Sequence, residues 1–443
     1  MTLRMEGGHA VLVFALLCAL PLAACGGGAS SRTPSSAPSA TAEATPDASS
    51  KADQQIAFLQ ARVARDPLDY PDLNALAIAY LQRARETGDV SELTRADNAL
   101  ARSLAIRPDD NYDALALSAS LDITRHDFAR GVDLARKAIV LKAKEAYGYG
   151  ALGDGLMGIG EYDQAADAYA LDLQLDPGLS SYGRQALVDM NTGKRDDAER
   201  MWNMTVDAAA GDGVPEHAGW AHSQLANFYF ITGDLARARA QYQQSLDVFP
   251  NYVHALAGLG RVAAAGGDYK TAAGFYTEAI DRVPLPEYVS ALGDVYAASG
   301  GEKKASDQFA LIAAIEQLYN ANGVNLDIQV GLFNADHDRN LADTVVRAKA
   351  AYAQQPSIQA ADMLAWVQYK AGDIGAARDA IGLALRTNTF DPLVLFHAGM
   401  IANDAGDAAA AKSYLSRVAA QAPYFSVLYS ARVAAQLAAL GGQ

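Results

Sequence analysis

Beyond residue 25 the chain has no cysteine: both of its cysteines, Cys18 and Cys25, stand in the first 25 residues. No disulfide and no thiolate metal site can therefore hold the body of the protein together. Positive charge is also scarce. Lys and Arg number 36 against 51 Asp and Glu, a formal net charge of −15, and no basic cluster reverses the sign locally. Such a field repels phosphate backbones, which argues against nucleic acid as a partner. Long apolar runs are missing too. The run at residues 10–24, AVLVFALLCALPLAA, falls short of the ~20 residues a membrane-spanning helix needs. From Lys51 onward there is no sustained alternation of apolar and polar residues, so no strand is expected. GxSxG, P-loop, HExxH and Cys/His-cluster patterns are absent as well. On that ground no enzyme, cofactor or metal is expected.

What is present begins with a targeting segment. Arg4 precedes the apolar stretch, whose length suits the core of a signal peptide. It ends Leu22-Ala23-Ala24-Cys25, which resembles the lipobox of bacterial lipoproteins. The resemblance implies cleavage before Cys25 and acylation of its thiol and new amine; several acyl chains anchor stably where one is marginal. Residues 26–50, GGGASSRTPSSAPSATAEATPDASS, hold almost no large apolar side chain and read as a flexible tether. The expected division is a signal peptide at 1–24, a lipidated Cys25 with its tether at 25–50, and a folded body at 51–440. The lipoprotein resemblance places that body in the cell envelope. It would face the periplasm from the outer membrane if there are two membranes, and otherwise sit on the outer face of the cell membrane.

The body repeats itself. Gly160, Gly193, Gly233, Gly267, Gly300, Gly372 and Gly406 recur at about 34 residues, apart from one interval of double length and one holding an insertion near Gly211-Asp212-Gly213. Five residues after each stands alanine: Ala165, Ala198, Ala238, Ala272, Ala305, Ala377 and Ala411. Nine after stands a large hydrophobe: Tyr169, Trp202, Tyr242, Tyr276, Phe309, Ile381 and Leu415. Seven before stands only Gly or Ala, and seventeen after, Pro177, Pro250, Pro284 and Pro423 close four of the units. The glycine suits a turn needing positive φ, the small residue a close helix crossing, and the proline a helix stop. This pattern resembles the tetratricopeptide repeat. The resemblance implies an all-α solenoid of helix-turn-helix units, a right-handed superhelix of about ten repeats. Less regular units fill residues 71–108, 109–144 (with His126-Asp127-Phe128 in place of the glycine turn) and 325–357. A lead-in helix is expected at 53–67 and a capping helix after Pro423.

Three patterns invite chemistry and do not sustain it. Gly148-Tyr-Gly150-Ala-Leu-Gly153 matches GxGxxG, but no strand precedes it and Gly153 is the small packing position of a helix. Asp336-His337-Asp338 falls where other units turn, and polar residues belong in turns. His217 and His222 stand five apart, which does not put two imidazoles on one helical face.

The remaining candidate surface is the concave one, which the resemblance lines with the first helix of each unit. Counting 13, 10, 6 and 3 residues back from the turn glycine gives Trp220, Ser223, Asn227 and Phe230, then His254, Ala257, Arg261 and Ala264. Further on it gives Gln359, Asp362, Trp366 and Tyr369, then Leu393, Phe396, Met400 and Asn403. Trp220, Asn227, Phe230, Arg261, Trp366, Tyr369, Phe396 and Met400 are the expected anchors for a protein or peptide partner. Asn227 and Arg261 faintly resemble the Lys/Asn clamp of chaperone-binding repeats, but Ser223 stands where its lysine belongs. A membrane-anchored scaffold is thus the first expectation; a surface protein binding a small ligand or glycan with the same aromatics is the alternative.

Overall fold

In the computed structural model the described residues are 51–441, with the backbone of two short paired strands, Leu12–Val13 and Cys18–Ala19, in addition. Cys25, the tether and the rest of the expected signal segment lie outside the described residues.

Residues 51–441 are helical throughout, in consecutive antiparallel pairs. A lead-in helix, α1 (Lys51–Arg65), is followed by α2 (Tyr70–Thr87) and α3 (Ser91–Ile106), then α4 (Tyr112–Thr124) and α5 (Phe128–Leu141). Next come α6 (Ala146–Gly158) and α7 (Tyr162–Leu175), α8 (Leu179–Asn191) and α9 (Arg195–Asp212), α10 (Pro215–Ile231) and α11 (Leu235–Val248). The second half holds α12 (Val253–Ala265) and α13 (Tyr269–Arg282), α14 (Pro286–Ala298) and α15 (Glu302–Phe309), and an extra helix α16 (Ile312–Ala321). It closes with α17 (Asp327–Asp336) and α18 (Leu341–Gln354), α19 (Ile358–Lys370) and α20 (Ile374–Ala384), α21 (Pro392–Asp404) and α22 (Ala408–Gln421), and finally α23 (Ser430–Ala439). Among the described residues none of these is long and apolar enough to cross a membrane.

The repeated positions act as their chemistry requires. The seven turn glycines have φ between 75 and 87°. In the two units without glycine, His126 (φ 63°) and Asp338 (φ 53°) occupy the same left-handed place. One residue on, an aspartate often caps the second helix: Asp127, Asp234, Asp268, Asp373 and Asp407 each accept from the third amide inside it. A cap of this kind contributes about 1 kcal/mol. The small residue on the first helix meets the large one on the second. A Cβ on Gly153 would overlap Tyr169, and on Gly399, Leu415. Where proline stands seventeen after the glycine the second helix stops two residues short of it, as α7 does at Leu175 before Pro177. The unit of Gly300 has Gln317 there instead, a good helix former, and the chain stays helical as α16.

The repeat register does not fix how far the superhelix winds. Its second coil, from about α12 on, packs against its first. Leu73, Leu100 and Leu117 share a core with Val283, Leu285 and Val289. Val132, Leu156 and Tyr169 share another with Leu364, Val367 and Phe396. Along the seam, inter-helix turns of the first coil bond to the ends of second-coil helices. Ile358 donates its amide to the Tyr162 hydroxyl at 2.7 Å. Gln355 Nε2 donates to the His126 carbonyl at 3.3 Å, and Asn325 N to that of Arg125 at 3.2 Å. Gln421 Nε2 donates to the carbonyls of both Ile231 and Phe390 at 2.8 Å, tying the coils together. The concave face is thereby reduced from an open groove to an internal lumen.

Candidate functional site

The expected anchors are mostly inside the protein. Trp220 is 1 % exposed, packed edge-on against Trp202 with ring centroids 5.9 Å apart. Phe230 is buried beneath the Arg261 guanidinium, 4.0 Å from its ring. Trp366 is fully buried: its ring stacks on His397 at 4.1 Å and Tyr369 at 4.9 Å, and Nε1 donates to Asp336 at 2.7 Å. Phe396 stacks on Tyr429 at 4.5 Å, and Met400 is buried in the same core. Tyr369 is buried too, its hydroxyl donating to Asp404 at 2.7 Å. These positions therefore offer no ready anchor to a partner, a correction to the open-groove expectation. The physical cause is the chain after Pro423, which folds Tyr429 back over α19 and α21, and on the other side the close Trp202–Trp220 packing.

Asn227 and Arg261 are half-buried and engaged with each other. Asn227 Oδ1 accepts from Arg261 Nη2 at 2.7 Å and from the Tyr242 hydroxyl at 2.6 Å. Elsewhere, His337 pairs with Asp294 at 2.8 Å and His217 with Asp212. Among the described residues no group of three or more His, Cys, Asp or Glu could hold a metal ion. In GxGxxG the glycines make room for side chains: a Cβ on Gly148 would press on Ile139, on Gly150 overlap the Arg184 guanidinium, and on Gly153 overlap Tyr169.

What the structure brings together instead is the lumen. A cavity of about 380 Å³ lies between α14, α17, α19 and α21, with His126 from a turn of the first coil and Asn191 from the end of α8 on its wall. Its carboxylates are Glu287, Asp294, Asp336, Asp362 and Asp391, and among the described residues no lysine or arginine lines it. Ile328, Leu332, Phe333, Ile358 and Leu393 supply the apolar part. Most of these acids have neutral or weakly basic partners. Asp336 accepts from Trp366 and from the Tyr429 hydroxyl, Asp362 faces His397 at 2.9 Å, and Asp391 caps α21. Burial raises Asp391 above the usual carboxylate range. Burial also raises Asp294, against the pull of the His337 bond.

Glu287 differs from the rest. Both of its carboxylate oxygens are shielded from solvent, and neither has a hydrogen-bonding partner on another residue. It also lines a second cavity of about 170 Å³, shared with His254, Arg261, Tyr276 and Tyr288. Burial pushes its carboxyl from 4.5 to about 7, opposed only by its own backbone amide. Within that window the folded chain holds a proton that the unfolded chain releases. Stability contributed by this group is therefore highest at low pH and declines as pH rises from 4.5 towards 7. Glu287→Gln is expected to stabilise the protein by up to about 3 kcal/mol above neutrality and by little near pH ~4. Urea unfolding of both proteins at the two pH values checks this; an equal effect at both would contradict it.

The sequence reasoning missed Glu287 and Asp294, although its own count supplies them: they stand 13 and 6 residues before Gly300. The same count reached Gln359, Asp362 and Leu393, which do line the lumen. It erred by favouring aromatic side chains at the same counted positions, over which neighbouring residues close.

Comparison with known proteins points to the repeats. A family model described as tetratricopeptide repeat matches residues 224–285. No curated protein sequence matches the chain. Similar solved structures include human IFIT1 as a dimer with PPP-AAAA, 12% identical over 83% of this chain and 94% of that one, with a TM-score of 0.44. A tetratricopeptide repeat protein from Parabacteroides merdae is 16% identical over 58% of this chain and 91% of its own, with a TM-score of 0.41. YrrB, described as a TPR protein with an unusual peptide-binding site, is 17% identical over 46% and 98%, with a TM-score of 0.30.

Proposed function

We propose that this chain, a tetratricopeptide-repeat protein, is a membrane-tethered scaffold that holds other proteins at the cell envelope rather than a catalyst. The tether belongs to the lipobox reading, in which Cys25 carries the acyl chains and residues 26–50 give the body its reach. The acidic field disfavours nucleic acid as cargo.

One observation carries the binding role: apolar side chains recur, exposed, at one register of the outer helices. Leu141, Leu175 and Val248 are each fifteen residues past their turn residue, on α5, α7 and α11, and each is exposed by more than a third. Val140 beside Leu141 is 83 % exposed, and Leu171 on α7 is 42 % exposed. Scattered exposed hydrophobes are ordinary, but a set registered in three repeats is a surface that a partner can cover. The scaffold reading thus moves from the concave face to the outer one.

Two experiments test it. Crosslinking the full chain in its native membrane is expected to recover a partner, and Val140→Glu with Leu171→Glu to lower that recovery about tenfold, with helical circular dichroism unchanged. Recovery that ignores the double substitution would remove the outer surface from the account. For the anchor, palmitate label is expected on the wild type and absent from Cys25→Ser; label that survives the change would sink the lipobox reading.

A further inference from the structure

The outer surface carries a charge pattern that the repeat does not require. Arg136 and Lys137 stand four and three residues before Val140 on α5, one helical turn away on the same face. Lys142 and Lys144 follow where the helix ends at Leu141. The expectation that no basic cluster reverses the sign of this acidic chain therefore fails at one place: from Arg136 to Lys144 there are four basic residues and no acid, with Asp133 and Glu145 bordering them. A helix end gains from nearby cations, but the corresponding stretches of α7, α9 and α11, ten to eighteen residues past Gly160, Gly193 and Gly233, hold no lysine or arginine. Ion pairing within the chain does not account for the set either. Arg136, Lys137 and Lys144 are exposed and have no ion-pair partner among the described residues. Only Lys142 is engaged, 4.0 Å from Asp113 and over the ring of Tyr112. In their midst Val140 is the most exposed large apolar side chain among the described residues.

Unpaired cations around an exposed apolar side chain match a surface of opposite charge with an apolar centre. We propose that the partner's contact at α5 is an acidic protein segment bearing an aliphatic side chain. Its carboxylates stand opposite Arg136, Lys137 and Lys144, and its aliphatic group packs on Val140 and Leu141. This rests on the outer-surface reading and names the chemistry of the partner at that surface. Exposed ion pairs are individually weak, so the apolar contact supplies the hold while the cations select and orient the partner. An anionic membrane fits less well. The next outer helix, α7, has no lysine or arginine, and its exposed Asp167 lies one turn from Leu171 on the same face. A flat anionic sheet touching Val140 and Leu171 would lie over that acid; a single segment along the end of α5 avoids it.

The test places a photoreactive benzoylphenylalanine at the exposed Ala143 of the full chain, irradiates it in its native membrane and sequences the adduct by mass spectrometry. The expected adduct is a protein segment in which Asp and Glu outnumber Lys and Arg. Added to that chain, Lys137→Glu with Lys144→Glu is expected to lower the yield about tenfold, and Lys137→Arg with Lys144→Arg to leave it unchanged. Raised salt is expected to lower it as well. Retained helical circular dichroism shows that each variant folds. A defined probe gives a second reading: a synthetic peptide of alternating Glu-Glu and Leu-Leu pairs is expected to bind the purified full chain, and its counterpart with lysine for glutamate is not. The proposal is overturned if the glutamate peptide does not bind, if the adduct is lipid, nucleic acid or a basic segment, or if charge reversal leaves the yield unchanged. Should charge reversal have no effect while Val140→Glu with Leu171→Glu removes the adduct, the outer surface stands and the acidic partner falls. Should neither have an effect, both fall.

Discussion

Replacing Arg184 by alanine is expected to destabilise the protein by about 3–5 kcal/mol, the cost of breaking a buried ion pair from one side. Arg184 is completely buried on α8, donating through Nε and Nη2 to Asp154 of α6 at 3.1 and 2.9 Å and through Nη1 to Asp172 of α7 at 3.0 Å. Tyr169 adds its hydroxyl to Asp154 at 2.8 Å. Three helices from two repeats thus meet at one guanidinium, in space that Gly150 leaves open by having no Cβ. Burial already raises Asp172 to about 6, even with Arg184 beside it. Without Arg184, Asp154 and Asp172 would remain buried without its guanidinium, and both would favour their protonated forms. The deficit of the variant should therefore shrink as pH is lowered, since a carboxyl raised in the folded state adds stability at low pH. Adding Asp154→Asn and Asp172→Asn should restore part of the loss. Unfolding at neutral and acidic pH checks all three statements; a loss below about 1 kcal/mol, or one independent of pH, would contradict them.

The second large effect separates glycines that look identical in sequence. Gly233 and Gly406 share one repeat position and nearly one conformation, with φ of 86° and 83°. Alanine at either must adopt the left-handed region, at about 1–2 kcal/mol. A Cβ on Gly406 would meet nothing, as would one on Gly300 or Gly372. On Gly233 it would overlap the Gln421 carbonyl oxygen of the second coil, and on Gly160 that of Pro356. Overpacking against backbone adds about 1–3 kcal/mol. Gly233→Ala is thus expected to cost roughly twice what Gly406→Ala costs, and to loosen the Gln421 bonds that join Ile231 to Phe390. Melting of the two variants in parallel decides it. Equal losses would mean that the coils do not press on each other in solution.

That contrast also marks how far the sequence could be read. The repeat register placed the helix pairs, the turns and the helix-crossing residues, because each of these is set within about 34 residues by turn geometry and by small-against-large packing. The α16 helix escaped it: Gln317 stands where other units have their closing proline, a local signal present but unread. Seam contacts such as Tyr162 to Ile358 and Gln421 to Ile231 were not legible. They join residues 196 and 190 apart, and depend on small rotations accumulating over many repeats. The candidate site failed for the same reason. Trp366 and Phe396 occupy places that face inward in an open superhelix, but Tyr429, from beyond the last repeat, turns that inward face into core. Glu287 was reachable by counting, yet nothing local distinguishes it from an ordinary acidic residue in the first turn of a helix.

The closure of the two coils is the claim on which the lumen depends. Thr387 Oγ1 donates to the Asn191 carbonyl across the seam at 2.5 Å, so these two residues are close only if the coils pack as described. The direct measurement is disulfide formation in a chain carrying Asn191→Cys and Thr387→Cys, with each single variant as control. Closure predicts rapid crosslinking of the double variant under mild oxidation, with helical circular dichroism retained. A folded double variant that crosslinks no faster than the single variants would show an open solenoid and contradict the account.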